Sequence, residues 1–296
     1  MQPATATIVY PLLAAVVYVF SALFLKRSSD LGVGLWRTTF VVNMIVGVSF
    51  SLLWLLGGPP VETDNLWQPG VIALCLFAGQ IAQFLALEKG DVSVAVPMFG
   101  LKVVIVAFLT PWLTGDTVSL KLWLAAVLSV LGVTMLNRKD AGKPPRNLGI
   151  TMIAGGFGAV CFALFDVLVQ RWGPAWGVGR MLPCIFWINA VLSLGLIPLF
   201  RAPLRAIPRA SWPWLVGGTV LLGAQSIAFI STIAVYGHAT SANIVYAARG
   251  LLSVGLVWLI GHWFMNAEQH LGPRVLRFRL FGALMMMSAI VLVVVR

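Results

Sequence analysis

Charged residues are scarce in this 296-residue chain: they make up 10 % of it, whereas hydrophobic residues make up 60 %. A soluble domain carries about 25 % charged residues and is less than half apolar. A water-soluble fold of this length cannot cover so much apolar surface. The composition therefore excludes a soluble enzyme, a disordered chain and a disulfide-rich secreted domain. The apolar runs are long and unbroken, which also disfavours a membrane β-barrel.

Motifs for chemistry are lacking too. The sequence has no phosphate-binding loop of the form G-x-x-x-x-G-K-[ST], and no cluster of Ser, His, Asp or Cys at one depth of an apolar run, which an intramembrane enzyme would need. The cysteines and histidines, none of them at metal-ligand spacing, are Cys75, Cys161, Cys184, His238, His262 and His270. We therefore expect no enzyme, no metal and no cofactor.

Ten apolar segments are long enough to cross a bilayer, which takes roughly 20 residues per helix. They are residues 5–25, 35–56, 66–87, 92–113, 118–136, 148–170, 178–200, 212–235, 240–263 and 280–295. Turn-forming residues separate them, and many of the 12 tryptophans fall near their ends, as in an interfacial aromatic belt. The sequence predicts an all-α polytopic membrane protein with ten transmembrane helices.

Loop charges give an orientation for these spans. The net charge of +11 would suggest nucleic-acid binding in a soluble protein, but here it follows from basic residues in short loops, so we expect no nucleic-acid partner. The loops after spans 1, 3, 5, 7 and 9 hold Lys26, Arg27, Lys89, Arg138, Lys139, Lys143, Arg146, Arg201, Arg205, Arg209, Arg274, Arg277 and Arg279. The remaining loops and the two tails hold Lys121, Arg171, Arg180 and Arg296. The positive-inside rule then puts both termini outside.

The chain repeats itself at an offset near 145 residues. Gly79-Gln80 in span 3 corresponds to Ala224-Gln225 in span 8, and the same register aligns Lys102 with Arg249. Each half then has five spans, and an odd number inserts the second half in the opposite sense. Inverted repeats of this kind are typical of secondary transporters with a site near the midplane. We predict a first five-helix repeat at 1–137, a basic linker at 138–147 and a second repeat at 148–296.

Two cations lie near the middle of spans, Lys102 in span 4 and Arg249 in span 9. A charge at the bilayer centre costs about 2.5–3.5 kcal/mol on the lenient insertion scale, so each needs a reason. One interpretation is that they bind a carboxylate or phosphate group of a solute. The other is that they pair with an acid or with helix carbonyls and only hold the bundle together.

Polar side chains surround these cations at helical spacing. Asn243 and Tyr246 share a helix face with Arg249, and Gln80 and Gln83 share a face of span 3; Gln225 lies on span 8. We take these five residues as further candidates for solute binding.

Three other charged residues lie inside or beside the spans. Asp166 is the only acid well within a span, and it is either a proton-coupling carboxylate or a counter-ion to Arg180 or Arg249. Arg37 and Arg180 each follow a Gly-Val-Gly sequence in their own half and are candidate gate or interface residues, with snorkelling to the membrane surface as the alternative.

The chain resembles the ten-span drug/metabolite transporter superfamily in its EamA-type branch. The residues that carry the resemblance are the stretch Ala-Leu-Glu-Lys-Gly-Asp-Val-Ser-Val-Ala-Val-Pro at 86–97, Leu-Thr-Gly-Asp at 113–116, and 123–137 with Gly132-Val133. It implies two five-helix repeats and transport by alternating access. In branches that carry phosphorylated sugars, equivalent helices use basic residues, and 249–261 is similar to theirs.

The chain departs from that family pattern in two ways. The second half has Asn243-Ile244 where a proline is expected beside Ala242. The resemblance also implies cytoplasmic termini, the reverse of what the loop charges predict.

The leading prediction is a secondary transporter of a small metabolite with an anionic group. The alternative is a proton-coupled exporter of amphipathic or cationic compounds that uses Asp166. We expect a bacterial plasma membrane location, the lipid bilayer and a small solute as partners, and either a monomer or a homodimer.

Overall fold

A computed structural model describes residues 3–90, 92–136, 147–253 and 273–295. Among the described residues, all regular secondary structure is helical and none of it is β-strand. The helices are α1 (Pro3–Asp30), α2 (Leu35–Phe50), α3 (Gln68–Glu88), α4 (Val92–Gly100), α5 (Lys102–Thr114), α6 (Leu120–Leu136), α7 (Leu148–Trp176), α8 (Val178–Leu192), α9 (Trp212–Tyr236), α10 (Ala239–Tyr246) and α11 (Pro273–Val294). Residues 249–253 are also helical.

Eight stretches of the described chain are long and apolar enough to cross a membrane. They correspond to predicted spans 1–4, 6–8 and 10. The helix for span 5, α6, is shorter, with 17 residues. Much of predicted span 9, and the linker between the predicted repeats, lie outside the described residues.

Large apolar side chains cover the outside of the bundle. Leu55 is 88 % exposed, Trp112 77 % and Ile153 76 %. A water-soluble protein rarely exposes so much contiguous apolar surface, whereas a bilayer solvates it.

Helices from the first half of the chain pack against helices from the second half. α1 lies along α9, and α3 lies along α7; α2 packs on α8, and α6 on α11. The α1–α9 contact is close because Gly218 has no side chain: a Cβ there would come within 3.0 Å of the Phe24 Cβ, and Ser21 Oγ donates to the Gly218 carbonyl over 2.7 Å. Small residues of this kind let membrane helices approach closely.

Two predicted spans are not continuous helices. In span 4, the Leu101 amide bonds the Met98 carbonyl, a tighter turn that separates α4 from α5. In span 9, the Ala248 amide bonds the Val245 carbonyl in the same way, after α10 ends at Tyr246. These i→i+3 bonds shift the helix register locally. Both turns come directly before a partly buried cation, Lys102 or Arg249.

Spans 2 and 7 also share a feature. α2 continues into the 3-10 helix Ser51–Leu56, and α8 continues into the 3-10 helix Ser193–Leu199. The last part of each of these two spans is therefore a 3-10 helix, which is wound more tightly than an α-helix.

Candidate functional site

Lys102 and Asp166 form an ion pair between the two halves of the chain. Lys102 begins α5, which packs against α7, the helix that carries Asp166. The Nζ–Oδ2 distance is 2.7 Å, the aspartate side chain is fully buried and the lysine side chain is 19 % exposed. An unpaired carboxylate buried in apolar surroundings is strongly unfavourable, so Lys102 provides the compensation that the packing of α7 requires.

Asn243 holds the same carboxylate from a third helix. Its Nδ2 donates to Asp166 Oδ2 over 2.6 Å and to the Ala239 carbonyl over 2.9 Å. The other oxygen, Asp166 Oδ1, is buried and has no hydrogen-bond partner among the described residues. A carboxylate offers about four acceptor sites, so Asp166 has acceptor capacity that these contacts do not use.

Arg249 has different neighbours. Its guanidinium carbon lies 4.8 Å from the centre of the Tyr18 ring and 4.4 Å from that of Tyr246. Within the described ranges, no carboxylate lies at ion-pair distance from it. Aromatic faces attract a guanidinium but do not neutralise its charge. Arg249 therefore adds a positive charge to the centre of the bundle.

Tyr246 connects this arginine to two further helices. Its hydroxyl donates to Gln225 Oε1 over 2.8 Å, and its ring stacks on Phe229 with the centroids 4.3 Å apart. Phe229 also lies 5.7 Å from Lys102 Nζ, so the stacked rings of Phe229 and Tyr246 adjoin one cation each. These contacts fix the tyrosine ring under Arg249.

Asn43 and Gln80 form a pair of side-chain amides that faces the same space as the two cations. Asn43 Nδ2 donates to Gln80 Oε1 over 3.0 Å, and Gln80 Nε2 donates back to Asn43 Oδ1 over 3.2 Å. This reciprocal bond joins α2 to α3. Gln83, one turn further along α3, lines the same space.

These groups surround a central cavity of about 220 Å³. Its charged lining residues, among those described, are Lys102, Asp166 and Arg249. Aromatic and aliphatic side chains form most of the remaining wall: Tyr18, Val42, Val46, Leu76, Phe99, Phe162, Phe165, Phe186, Leu222, Phe229, Ile230 and Tyr246. A smaller space of about 80 Å³ lies beyond the two cations and is lined in part by Asn243. An apolar wall with a few convergent polar groups is typical of small-molecule sites.

The two ends of the bundle differ in how the halves meet. We call the end with residues 57–67, 115–119 and 237–238 the acidic-loop end. There Gln170 Nε2 donates to Asp116 Oδ2 over 2.6 Å, and Trp176 Nε1 donates to Gln68 Oε1 over 2.8 Å.

Further contacts continue this closure. Arg180 Nη1 donates to the Pro59 carbonyl over 2.8 Å, and the Thr110 and Thr240 hydroxyls lie 3.3 Å apart. A Cβ on Gly179 would collide with the Gly57 carbonyl, so the backbones touch. The two halves are therefore closed against each other at the acidic-loop end.

The opposite end, with residues 31–34 and 200–211, is the basic-loop end. It contains a cavity of about 590 Å³ whose rim includes Arg37, Glu88 and Arg201. Glu88 and Arg201 form an exposed ion pair at 3.3 Å, and Arg37 Nη1 donates to the Pro203 carbonyl over a long 3.4 Å. Arg37 Nη2 also donates to the Gly32 carbonyl over 3.0 Å. Around this cavity the halves therefore meet through an exposed ion pair and a long hydrogen bond, while elsewhere at this end Asn147 Nδ2 donates to the Lys89 carbonyl over 2.8 Å.

Most of the residues selected from the sequence meet in one place. Seven of them line the central cavity: Lys102, Asp166, Arg249, Tyr246, Gln80, Gln83 and Gln225. Asn243 bonds Asp166 beside it, while Arg37 and Arg180 lie at opposite ends of the bundle.

One pairing expected from the sequence is wrong. Asp166 has Lys102 as its counter-ion, not Arg180 or Arg249. Arg180 lies at the acidic-loop end, where its guanidinium bonds Pro59. Sequence position did not show that α7 turns Asp166 toward the start of α5.

Sequence reasoning also missed several contributors. Tyr18 and Phe229 resemble ordinary apolar core residues, and Asn43 was not singled out. Gln170 lies one turn after Asp166, on the same face of α7, a spacing that could have indicated it. Among the described residues, no three His, Cys, Asp or Glu side chains are grouped to hold a metal ion.

The sequence matches one known protein family. The model of the EamA-like transporter family matches residues 5–138. The first part of the chain is therefore similar to this family. This family is part of the drug/metabolite transporter superfamily, which confirms the resemblance in the sequence. The chain is an integral multi-pass membrane protein, and the family is one of membrane transporters of small solutes.

Solved structures share this fold. One crystal structure of a protein superposes with a TM-score of 0.77 at 16 % sequence identity, covering 97 % of this chain and 96 % of the other. No curated protein matches the sequence.

Proposed function

We propose that this protein is a secondary transporter that moves a small organic anion across the membrane by alternating access. The observation that carries the proposal is Arg249: it lines the central cavity beside the Tyr18 and Tyr246 rings, with no carboxylate of the described residues at ion-pair distance. The anionic group of the solute supplies the missing negative charge. Arginine can form two parallel hydrogen bonds to a carboxylate or phosphate.

Lys102 has a supporting role in this proposal. Its ion pair with Asp166 connects α5 to α7 beside the solute, while Tyr246, Gln225, Gln80 and Gln83 supply neutral hydrogen-bonding groups. The surrounding aromatic wall binds the apolar body of the solute and excludes water, which strengthens the electrostatic contact.

Alternating access requires two halves that exchange conformations, and we propose ten spans in two inverted five-helix repeats. If α1, α2 and α3 correspond to α7, α8 and α9, the α1–α9 contact is the counterpart of the α7–α3 contact. The 3-10 ends of α2 and α8 and the turns before Lys102 and Arg249 support the same correspondence.

Arg37 and Arg180 fit this scheme as gate residues at opposite ends. Arg180 bonds the Pro59 carbonyl, and Arg37 bonds the Pro203 carbonyl, so equivalent arginines contact equivalent loops of the other half. The distances, 2.8 Å and 3.4 Å, fit a state closed at the acidic-loop end and looser at the basic-loop end. In the opposite state we expect the long contact to shorten and the short one to break.

The loop charges support an orientation with the basic-loop end in the cytoplasm and both termini outside, in the plasma membrane of a bacterium. The cavity is enclosed by one chain, so a monomer is sufficient for transport, and a homodimer would pair two such units.

Ligand stabilisation of the purified protein tests the function. Benzoate, phenyl phosphate and benzylammonium have the same ring with different charges. The proposal predicts that an acid of this panel raises the melting temperature through mass action and that the amine does not. The Arg249→Gln variant is the matched control, and its melting temperature should not respond to the acids. Stabilisation by benzylammonium alone would contradict the proposal.

A second function is favoured by one observation, the unsatisfied Asp166 Oδ1 beside an aromatic wall. Asp166 could accept a proton or a solute ammonium there, in a proton-coupled exporter of amphipathic or cationic compounds. This alternative predicts that Asp166→Asn abolishes transport driven by a pH gradient, whereas anion transport through Arg249 needs no titration of Asp166.

A further inference from the structure

The described lining of the central cavity has more positive than negative charges. Among the described residues that line it, Lys102 and Arg249 are cations and Asp166 is the anion. The 2.7 Å ion pair cancels Lys102 against Asp166, which leaves the single charge of Arg249. Every other described lining residue is neutral.

Net charge decides which anions such a site can hold. A cavity with aromatic walls screens charge poorly, so a bound ion is stable only when the site compensates its charge closely. A monoanion would bring the charged groups of the cavity to neutrality. A dianion would leave one negative charge without compensation, beside the buried carboxylate of Asp166.

The ion pair also limits what Lys102 can contribute. To bind a second negative charge, Lys102 would have to leave Asp166, whose only other hydrogen-bond partner among the described side chains is the Asn243 amide. That exchange would leave a fully buried carboxylate without a cation, which is costly. Lys102 therefore stays paired with Asp166 and does not bind the solute.

From this charge balance we propose that the cavity selects an organic monoanion, such as a carboxylate with an apolar body, over a dianion such as a phosphate monoester. This inference rests on the proposed anion transport and narrows it. Arg249 is the binding residue, and Lys102 and Asp166 are positioning residues that set the net charge of the site.

The first test compares benzoate with phenyl phosphate, which is a dianion at pH 8. Apparent dissociation constants come from melting-temperature titrations of the purified full-length protein at fixed ionic strength. We expect benzoate to bind wild type at least about tenfold more tightly than phenyl phosphate. Equal or tighter binding of phenyl phosphate would overturn the inference while leaving anion transport intact.

Charge variants make the test specific. Asp166→Asn raises the net charge of the cavity by one unit, so we expect the preference to move toward phenyl phosphate by about tenfold or more. The double variant Lys102→Gln/Asp166→Asn restores the original net charge and should restore the preference for benzoate. An unchanged preference in Asp166→Asn would contradict the proposal.

A second route does not disturb the ion pair, in case Asp166→Asn fails to fold. Gln83→Lys adds a positive charge to the cavity wall, and Gln83→Met is its neutral control of similar length. We expect the lysine variant, and not the methionine variant, to favour phenyl phosphate relative to wild type. The same preference in both variants would overturn the inference. Binding of benzylammonium alone, with neither acid bound, would instead refute the proposed function.

Discussion

Lys102 and Arg249 are aligned by the repeat predicted from the sequence, yet their surroundings differ. Each follows a tightened turn in its helix and lines the same cavity. Lys102 has a carboxylate at 2.7 Å, whereas Arg249 lies beside the rings of Tyr18 and Tyr246, which contact each other. The difference separates two uses of a buried cation: one compensates a charge of the protein, and the other has a charge left for a solute.

The largest expected difference between the two cations is in how much their removal lowers the free energy of unfolding. Lys102→Gln leaves Asp166 buried without a cation, so we expect the free energy of unfolding to fall by about 3–5 kcal/mol. Denaturation in mixed detergent micelles measures this change. The double variant Lys102→Gln/Asp166→Asn should recover most of the loss, and Arg249→Gln should cost clearly less than Lys102→Gln. Equal losses for the two single variants would remove the distinction.

The second prediction concerns the support of Asp166. Asn243→Leu removes an amide that donates to the carboxylate over 2.6 Å, and we expect a loss of about 1.5–3 kcal/mol of stability. The same denaturation assay applies. In the Asp166→Asn background the substitution should cost much less, because the acceptor is no longer charged. Additive losses would show that the two side chains do not interact.

The third prediction concerns the surroundings of Arg249. Tyr18→Leu removes one of its two rings and should lower the free energy of unfolding by about 0.5–2 kcal/mol. Tyr18→Phe retains the aromatic face and is the matched control, expected near wild type. If the phenylalanine variant were as unstable as the leucine variant, the ring would not be what stabilises the arginine.

The smallest expected effect concerns the two ends of the bundle. Arg180→Gln removes the 2.8 Å contact at the acidic-loop end, and a shift of about 1 kcal/mol would change the open population about fivefold. The alkylation rate of a cysteine introduced at Thr110, buried near that end, reports the opening. Arg37→Gln, its counterpart, should leave that rate unchanged or lower it. A faster rate in both variants would refute opposite roles for the two arginines.

Hydropathy predicted the positions of most spans because the thickness of the bilayer sets the length of each one. The described helices follow spans 1–8 and 10 closely. The turn at Leu101 had a signal in the sequence, since Gly100 directly precedes it and Pro97 lies four residues before it, and both residue types weaken a helix. The turn at Ala248 was harder to predict, because Tyr246 and Ala247 precede it and the nearest glycine, Gly250, follows it.

The residues of the site were easier to predict than their partners. Intramembrane Lys102, Asp166 and Arg249 are conspicuous because charge is costly in lipid. The pairing of Lys102 with an acid was one of the two interpretations of the sequence, but the sequence does not show which faces meet, so Asp166, 64 positions away, was not named as that acid. Tyr18 was missed because an aromatic residue in an apolar span has no signal that separates a ligand of a cation from core packing.

Uptake into proteoliposomes tests the central claim most directly. Labelled benzoate uptake is compared among wild type, Arg249→Gln and Lys102→Gln/Asp166→Asn, at equal amounts of folded protein. If Arg249 supplies the free charge, Arg249→Gln loses uptake while the double variant, with the ion pair removed and the net charge kept, retains it. Retained uptake in Arg249→Gln together with lost uptake in the double variant would contradict the account.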